Sequence, residues 1–514
     1  MDYKLYGYLK VLIAVIFIVR VNAQNQTVSS GRRKFRIAIV GCGFAGLAAF
    51  GRLQETKSPD FHVDIFEASN RVGGRVYPVK FGLFNNPTNS TMFLEDGYLQ
   101  NGAQFINGAN NPIYKKAERL GVLTGEEIDD DNFFYSADYH TGDCRIEKEL
   151  IEEFGKFVEP IEESFLEIAR DSAVWNTTIG ALYDKLYSKF LNRRKRSHDE
   201  VRYLNSLSRF YRSYYESEWS APLGKISLYN YAKWNDRSDK LTSFTLNKNG
   251  YTALLDELAD VVPSSALHLN SKISKIDYRG NRTRLQLLNG RWWSTEYDFV
   301  IVTVPLGHLK AHAIHLFQPP LPQRKLEAIE ALGFGSILKV FLVYDEPFWS
   351  KNSTFFVPLY INGCSSEGFL SSELHTFEPL EWNPNVLATW LSGQGPKLID
   401  TLADDELADH ITQHFRSLMP QVTIPLPKRL IRTTWLRNDN FRGTYTYVTP
   451  KAAQLSRDPL ELMAQPVYHN QRPRLLFAGE ATHSRIYQTT IGAYLSGRRE
   501  VDRLLNYIGQ LSDI

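Results

Sequence analysis

Short apolar runs punctuated by glycine open and close this chain, and helical periodicity fills much of its middle. The run Phe35-Arg36-Ile37-Ala38-Ile39-Val40 is β-branched and ends at a glycine, which predicts a buried strand. A helix is predicted from about Phe44 to Thr56 and a second strand over 62–66, together a β-α-β unit. Between Cys144 and Trp219, apolar residues recur at spacings of three and four (Ile151, Phe154, Val158, Ile161, Phe165 and Ile168), the pattern of helices in a second domain. Strand-like runs return at 267–278, 284–288, 299–304 and 339–344, the last preceded by Gly333 and Gly335. A final strand over 474–477 leads into a terminal helix. No repeat or low-complexity segment interrupts this α/β pattern.

With 514 residues, 43% of them hydrophobic, the chain can bury a large core, and two domains are expected. The net charge of +2 is spread without a field of one sign, which argues against nucleic acid or an anionic membrane and for a small-molecule partner. Lys4 and Lys10, an apolar run from Val11 to Val19 and the small residues before Gln24 have the layout of a signal peptide over 1–23. An uncleaved anchor is the alternative, but the run is short for ~30 Å of hydrocarbon. Sequons at Asn25, Asn89, Asn176, Asn281 and Asn352 agree with a secreted or lumenal glycoprotein; an unused leader would leave the chain cytoplasmic. Of three cysteines, Cys42 lies in a glycine turn, leaving Cys144 with Cys364 as the one pair to consider. Arg193 to Arg196 reads as a solvated loop or a processing site, and the acidic residues Glu126, Glu127, Asp129, Asp130 and Asp131 as a solvated loop or an attractor of cations.

Gly41-Cys42-Gly43-Phe44-Ala45-Gly46 has G-x-G-x-x-G spacing directly after a predicted strand and at the start of a predicted helix. Gly41 suits the tight turn, Gly43 lets backbone approach a pyrophosphate, and Gly46 lets helix pack closely on strand. Phosphates there meet unpaired N–H groups and the positive end of a helix dipole. Glu67 closes the second strand, where a carboxylate accepts ribose hydroxyls and disfavours a 2′-phosphate. Arg71-Val72-Gly73-Gly74-Arg75 adds a second close backbone approach, with Arg75 able to fork onto the pyrophosphate. Near the other end, a turn at Gly479-Glu480 precedes Thr489-Thr490-Ile491-Gly492-Ala493, whose helix start can stabilise a developing anion. The small residues Gly492, Ala493, Ser496 and Gly497 are expected to let that helix lie against a flat ring system.

In this order the segments resemble the flavin-containing amine oxidases, and within them the polyamine and spermine oxidases. The likeness runs from about Phe35 to Leu505 and includes Glu67-Ala68-Ser69, Gly73-Gly74-Arg75, Asn111-Pro112-Ile113-Tyr114, Glu346-Pro347-Phe348-Trp349, Phe441-Arg442-Gly443-Thr444-Tyr445 and Phe477-Ala478-Gly479-Glu480. It implies a Rossmann-like FAD-binding domain built from 34–106, 244–310 and 466–508, capped by a substrate domain from 107–243 and 311–465. It also implies that Gly41, Gly43, Ala45, Gly46, Glu67, Arg75, Ala103, Gln104, Ile273, Glu480 and Thr490 hold FAD. Lys339 matches the family lysine that holds a water against flavin N5, and a fixed cation there would stabilise charge developing on oxygen. Trp435 and Tyr487 are either core or walls of the amine pocket. No metal is implied. With no cysteine between Leu475 and Gly497, the FAD is expected to be noncovalent, and no apolar C-terminal tail or peroxisomal address is present.

Two positions depart from the resemblance. Asn107 stands where polyamine oxidases generally place histidine or glutamate, so it can neither titrate nor pair with an ammonium as a charge, and Ile491 replaces a histidine. Three functions therefore stay open: an oxidase passing hydride from a polyamine to flavin N5 with O2 reduced to H2O2, a secreted FAD-binding protein with lost or altered activity, and an oxidase of another amine such as an amino acid. For the last, no arginine suited to an α-carboxylate stands out.

Overall fold

A computed structural model of the chain describes residues 34–512, apart from 57–60, 82–96, 129–134, 136, 171–173, 236–241, 351–355 and 366. The leader, the sequons at Asn25, Asn89 and Asn352, the run Asp129-Asp130-Asp131 and the extreme C-terminus lie outside the described residues. The opening pattern forms as expected: β1 is Phe35–Val40, α1 is Phe44–Glu55 and β2 is Phe61–Phe66. Ile37, Ala38 and Ile39 have no exposed surface, because β1 lies inside a six-stranded sheet. That explains its continuous rather than alternating apolar pattern.

Beside β1 runs the parallel strand Phe299–Val302, with Ala38 opposite Val300 and Ile39 opposite Ile301. Next comes Arg472–Phe477, parallel to it, with Val467–His469 at that edge; Leu267–His268 closes the other edge beyond β2. One sheet thus draws strands from the beginning, middle and end of the chain. The run expected over 267–278 is divided, because the Ser271 amide donates to the Glu67 carbonyl (2.7 Å) and the Asn270 amide to that of Ser69 (2.9 Å). Its second half, Ile273–Asp277, joins a different sheet, with Arg284–Leu287 and Phe317–Gln318.

The second large sheet orders Arg429–Arg432, Leu338–Val343, Asn383–Leu391, Phe377–Leu380, Phe356–Pro358 and Asp138–His140. Every residue of its Leu338–Val343 strand is buried, with Leu338, Val340 and Leu342 packed against the Asp404–Leu418 helix side and Phe341 and Val343 on the opposite face. The sequence pattern missed most of these strands, since Pro379, Pro384 and Asn383 punctuate them as loops would. The helical region resolves into Lys148–Val158, Ile161–Ala169, Ile179–Leu191 and His198–Trp219; Pro160 divides the first two, and Ser197 with Glu200 forms a capping box on the last. Phe154, Val158, Ile161 and Phe165 are buried, as their spacing predicts.

Cys144 and Cys364 form a disulfide across 220 positions, and Cys42 is free and buried, its thiol pKa pushed well up by that burial. The basic run is an anchored turn: Arg196, 2% exposed at its side chain, and Arg194 both bind Glu153, so Arg196 is not displayed to a protease. Asn176 and Asn281 are exposed. Among the described residues, no helix is long and apolar enough to cross a membrane.

Candidate active site

The end of β1, the turn into α1, the Gly73-Gly74 loop and the start of the terminal helix Thr490–Ser512 surround one cavity of about 1170 Å3. Gly46 is placed by sterics: a Cβ there would lie 2.0 Å from the Gly41 carbonyl oxygen, so only glycine lets α1 rise this close to the end of β1. Gly43 forms a bridge with Gly73, and Arg71 ties the second loop by donating to the carbonyls of Val72, Gly74 and Val76 (2.8–3.2 Å). Glu67 is 7% exposed and accepts the amides of Cys42 (2.9 Å) and Ser69 (2.8 Å), which leaves carboxylate lone pairs toward the cavity it lines.

Arg75 donates to Glu480 at 3.0 Å and to the Thr444 carbonyl. Glu480, 3% exposed, also accepts from the Thr446 hydroxyl (3.0 Å) and the Gln488 amide (3.1 Å). Further along, Ala103 is held on the Arg75 carbonyl (3.2 Å), and Gln104, Ile273 and Thr490 line the same space, Thr490 bonding the Tyr251 hydroxyl at 2.8 Å. The side-chain Nε2 of Gln488, as distinct from its backbone amide, is buried with no partner among the described residues and belongs to a residue lining this cavity.

Lys339 reaches the cavity from the second sheet, opposite Trp390. Its ammonium donates to the carbonyls of Gln100 (2.7 Å) and Gly102 (3.0 Å) and to the Gln104 amide oxygen (2.7 Å). Burial brings its pKa down to about 7, opposed by the carboxylate of Glu378. Asn107 lines the cavity on the strand Ile106–Asn107, near Ser243 (3.4 Å). Asn111 explains its own motif: it caps the helix Pro112–Arg119 and donates to the carbonyls of Asn107 (3.0 Å) and Gly108 (2.6 Å).

Trp435 is a cavity wall. Tyr487 is not: it is 2% exposed, is absent from the lining and backs Trp219, whose ring centre is 6.4 Å away. The small residues of the terminal helix also act differently from expectation, since only Ala493 faces the cavity. A Cβ on Gly497 would lie 2.1 Å from the Ala45 carbonyl oxygen, Gly492 is as close to Ile486, and Ser496 bonds Gly479, so these three serve helix packing. Phe348 and Trp349 likewise pack in the core, against Tyr344.

Sequence reasoning missed the other arm of the cavity. Glu159, Glu162, Glu218 and Glu378 line it, with Tyr214, Tyr215, Trp219, Tyr231 and Trp390. Tyr211, Tyr215 and Trp219 lie four apart on one face of the His198–Trp219 helix, a signal present in the sequence; nothing local marks Glu378. Arg170, in the same lining, is an arginine the sequence did not single out; it is exposed.

Two glycine turns, a carboxylate at the end of the second strand and a helix start around one cavity define a dinucleotide-binding fold, and a buried lysine lines the same cavity. The chain belongs to the family described as flavin containing amine oxidoreductase, whose model matches residues 44–505. The fold is therefore the amine-oxidase fold and the cofactor a flavin, which the cradle fits: Glu67, Arg75 and the two turns suit the nucleotide, and the unpartnered side-chain Nε2 of Gln488 belongs to a residue of the same lining. Similar proteins include a probable polyamine oxidase 5 of Arabidopsis thaliana, 26% identical over 92% of this chain and 99% of the relative. The human peroxisomal N(1)-acetyl-spermine/spermidine oxidase is 27% identical over 92% of this chain and 95% of its own. Human lysine-specific histone demethylase 2 is 26% identical over 95% of this chain but 55% of its own length.

Gly46→Val forces the turn and α1 apart, an overpacking cost of about 1–3 kcal/mol. The variant should be recovered with little or no bound flavin and a lowered melting temperature. Full flavin content in a folded Gly46→Val protein would show that this contact does not shape the cradle.

Proposed function

We propose that this protein is a secreted amine oxidase that holds FAD noncovalently and oxidises a polyamine, with O2 reduced to H2O2. The observation that carries the reading is the rest of the cavity lining: Glu159, Glu162, Glu218 and Glu378 and the rings of Tyr214, Tyr215, Trp219, Tyr231 and Trp390 stand in one lining with the buried Lys339. Such carboxylates and rings attract cations and disfavour an α-carboxylate, which argues against an amino acid substrate. The similarity to polyamine oxidases points the same way.

FAD, when bound, supplies the two-electron acceptor. The chain's residues do the rest. Glu67 and Arg75 orient the nucleotide, while Trp435, Trp390 and Trp219 exclude water from the reacting end. Carboxylates such as Glu162 and Glu218 hold the remote ammonium groups of the substrate. The reacting nitrogen must be neutral, because an ammonium has no lone pair to assist loss of hydride. Lys339, fixed by three oxygen acceptors, offers positive charge to oxygen as negative charge develops on it.

Asn107 supports a second reading, an FAD-binding protein with lost or altered amine oxidation, since it supplies no base or charge to the cavity it lines. Secretion is supported by the N-terminal pattern, by the exposed sequon at Asn176, and by the Cys144–Cys364 disulfide, a bond favoured by oxidising compartments. Protein recovered from the medium should begin at Gln24; an uncleaved, intracellular chain beginning at Met1 would contradict the route.

Anaerobic mixing with spermine, spermidine, their acetylated forms and simple monoamines should bleach the flavin fastest with a polyamine. The rate should rise with pH through the bound amine's pKa. Bleaching by none of them would favour the second reading, and a flat profile from about pH 6 to 9 would contradict the neutral-amine requirement.

Flavin reoxidation should show the opposite slope. Lys339 is cationic below a pKa of about 7, so the rate should fall as pH rises through that value. Lys339→Met should slow reoxidation by about tenfold or more and remove this step, with flavin still bound. Unchanged reoxidation would remove the lysine's role.

A further inference from the structure

A second concavity, of about 980 Å3, shares no residue with the flavin cavity. Arg279 and Arg282 reach it from the turn after the Ile273–Asp277 strand, Arg284 from the start of the Arg284–Leu287 strand, and Arg472 and Arg474 from the Arg472–Phe477 strand. Arg474, 2% exposed, fastens the two segments together by donating to the carbonyls of Asp298 (3.3 Å) and Gly280 (3.4 Å). The guanidinium groups are therefore gathered by the fold and not scattered along a mobile tail.

Their charge is only partly offset. Arg279 binds Asp277 at 2.8 Å, Arg282 binds Asp298 at 3.3 Å, and Arg284 lies 3.8 Å from Glu296. Five arginines against three carboxylates leave two positive charges, as many as the net charge of the whole chain, +2. Arg472 is exposed and has no ion pair among the described residues. A guanidinium carries five N–H donors, and each of these carboxylates engages at most two, so forks remain for an anion.

We propose that this concavity binds a sulfated polysaccharide, with sulfate groups seated on the arginine forks. Two observations select that partner. The concavity is far larger than one ion needs, which suits a chain of linked anionic sugars. Among the described residues no aromatic ring lines it, and the nearby Trp292 ring is already covered by the Arg284 guanidinium at 4.4 Å, so bases find no open stacking platform, whereas sulfate esters require none. The choice of partner rests on the secretory route proposed above, because sulfated glycans are met outside the cell. The binding measurement does not, so a chain that binds but is never exported would sink the route and leave the site standing.

The test uses the flavin-loaded full chain as Asn281→Gln, which keeps a glycan out of the concavity without adding the negative charge that enzymatic release leaves by turning asparagine into aspartate. Binding is measured for a heparin oligosaccharide, its desulfated counterpart and a single-stranded oligonucleotide of matched length. The heparin oligosaccharide should bind with an affinity that falls steeply with salt, and the desulfated form should not bind. The double variant Arg279→Ala with Arg472→Ala should weaken binding by about tenfold or more while amine oxidation is unchanged. The proposal is overturned by absent heparin binding, by equal binding of the desulfated sugar or the variant, or by tighter binding of the oligonucleotide.

Discussion

Arg75 and Glu480 lie 405 positions apart in the chain and 3.0 Å apart in space. Around this contact the early glycine-rich loop, the Thr444–Thr446 stretch and the turn before the terminal helix are held together, because Arg75 also reaches the Thr444 carbonyl and Glu480 also accepts from Thr446 and Gln488. Such a pair adds little net stability, since desolvating both charges roughly cancels their attraction. Removing one partner, however, strands a nearly buried charge at a cost of about 3–5 kcal/mol. The contact therefore sets register: it fixes where the two ends of a dinucleotide can be gripped at once.

With that register set, the chemistry follows from what surrounds the cavity's far end. Lys339 is carried on a wholly buried strand, and its three acceptors are neutral oxygens, two of them backbone. Neutral acceptors orient the ammonium without cancelling its charge, while burial lowers its pKa toward neutrality. The same poorly screened surroundings give the carboxylates of the second arm a longer reach toward a cationic substrate than they would have in water. Asn107 adds a neutral polar group to the same lining.

Much of the cradle was legible in the sequence because its signals are local. A buried strand, a glycine turn, a helix start and Glu67 succeed one another within some thirty residues, and each needs only its neighbours to form. Gly46 could be assigned its packing role from spacing alone. Arrangements made by tertiary packing were not legible. Glu162, Glu218 and Glu378 come from three different elements, and nothing near Glu378 in the chain distinguishes it from a surface charge. Tyr487 looked like a wall residue and is core behind Trp219. Gly492, Ser496 and Gly497 looked like a platform for a ring and instead let the terminal helix press on α1 and on its own preceding turn. In each case composition was read correctly and direction was not, because the direction a side chain faces is decided by the partner element.

The claim beneath all of this is that one flavin nucleotide is clasped between sequence-distant segments without a covalent bond. A visible absorption spectrum of the purified protein, repeated on the supernatant after acid precipitation, tests it most directly. The account predicts a yellow protein with a flavin spectrum near one equivalent per chain, all of it released into the supernatant as FAD. A colourless protein that takes up no flavin on reconstitution would contradict the account, and pigment that stays with the precipitate would contradict its noncovalent part.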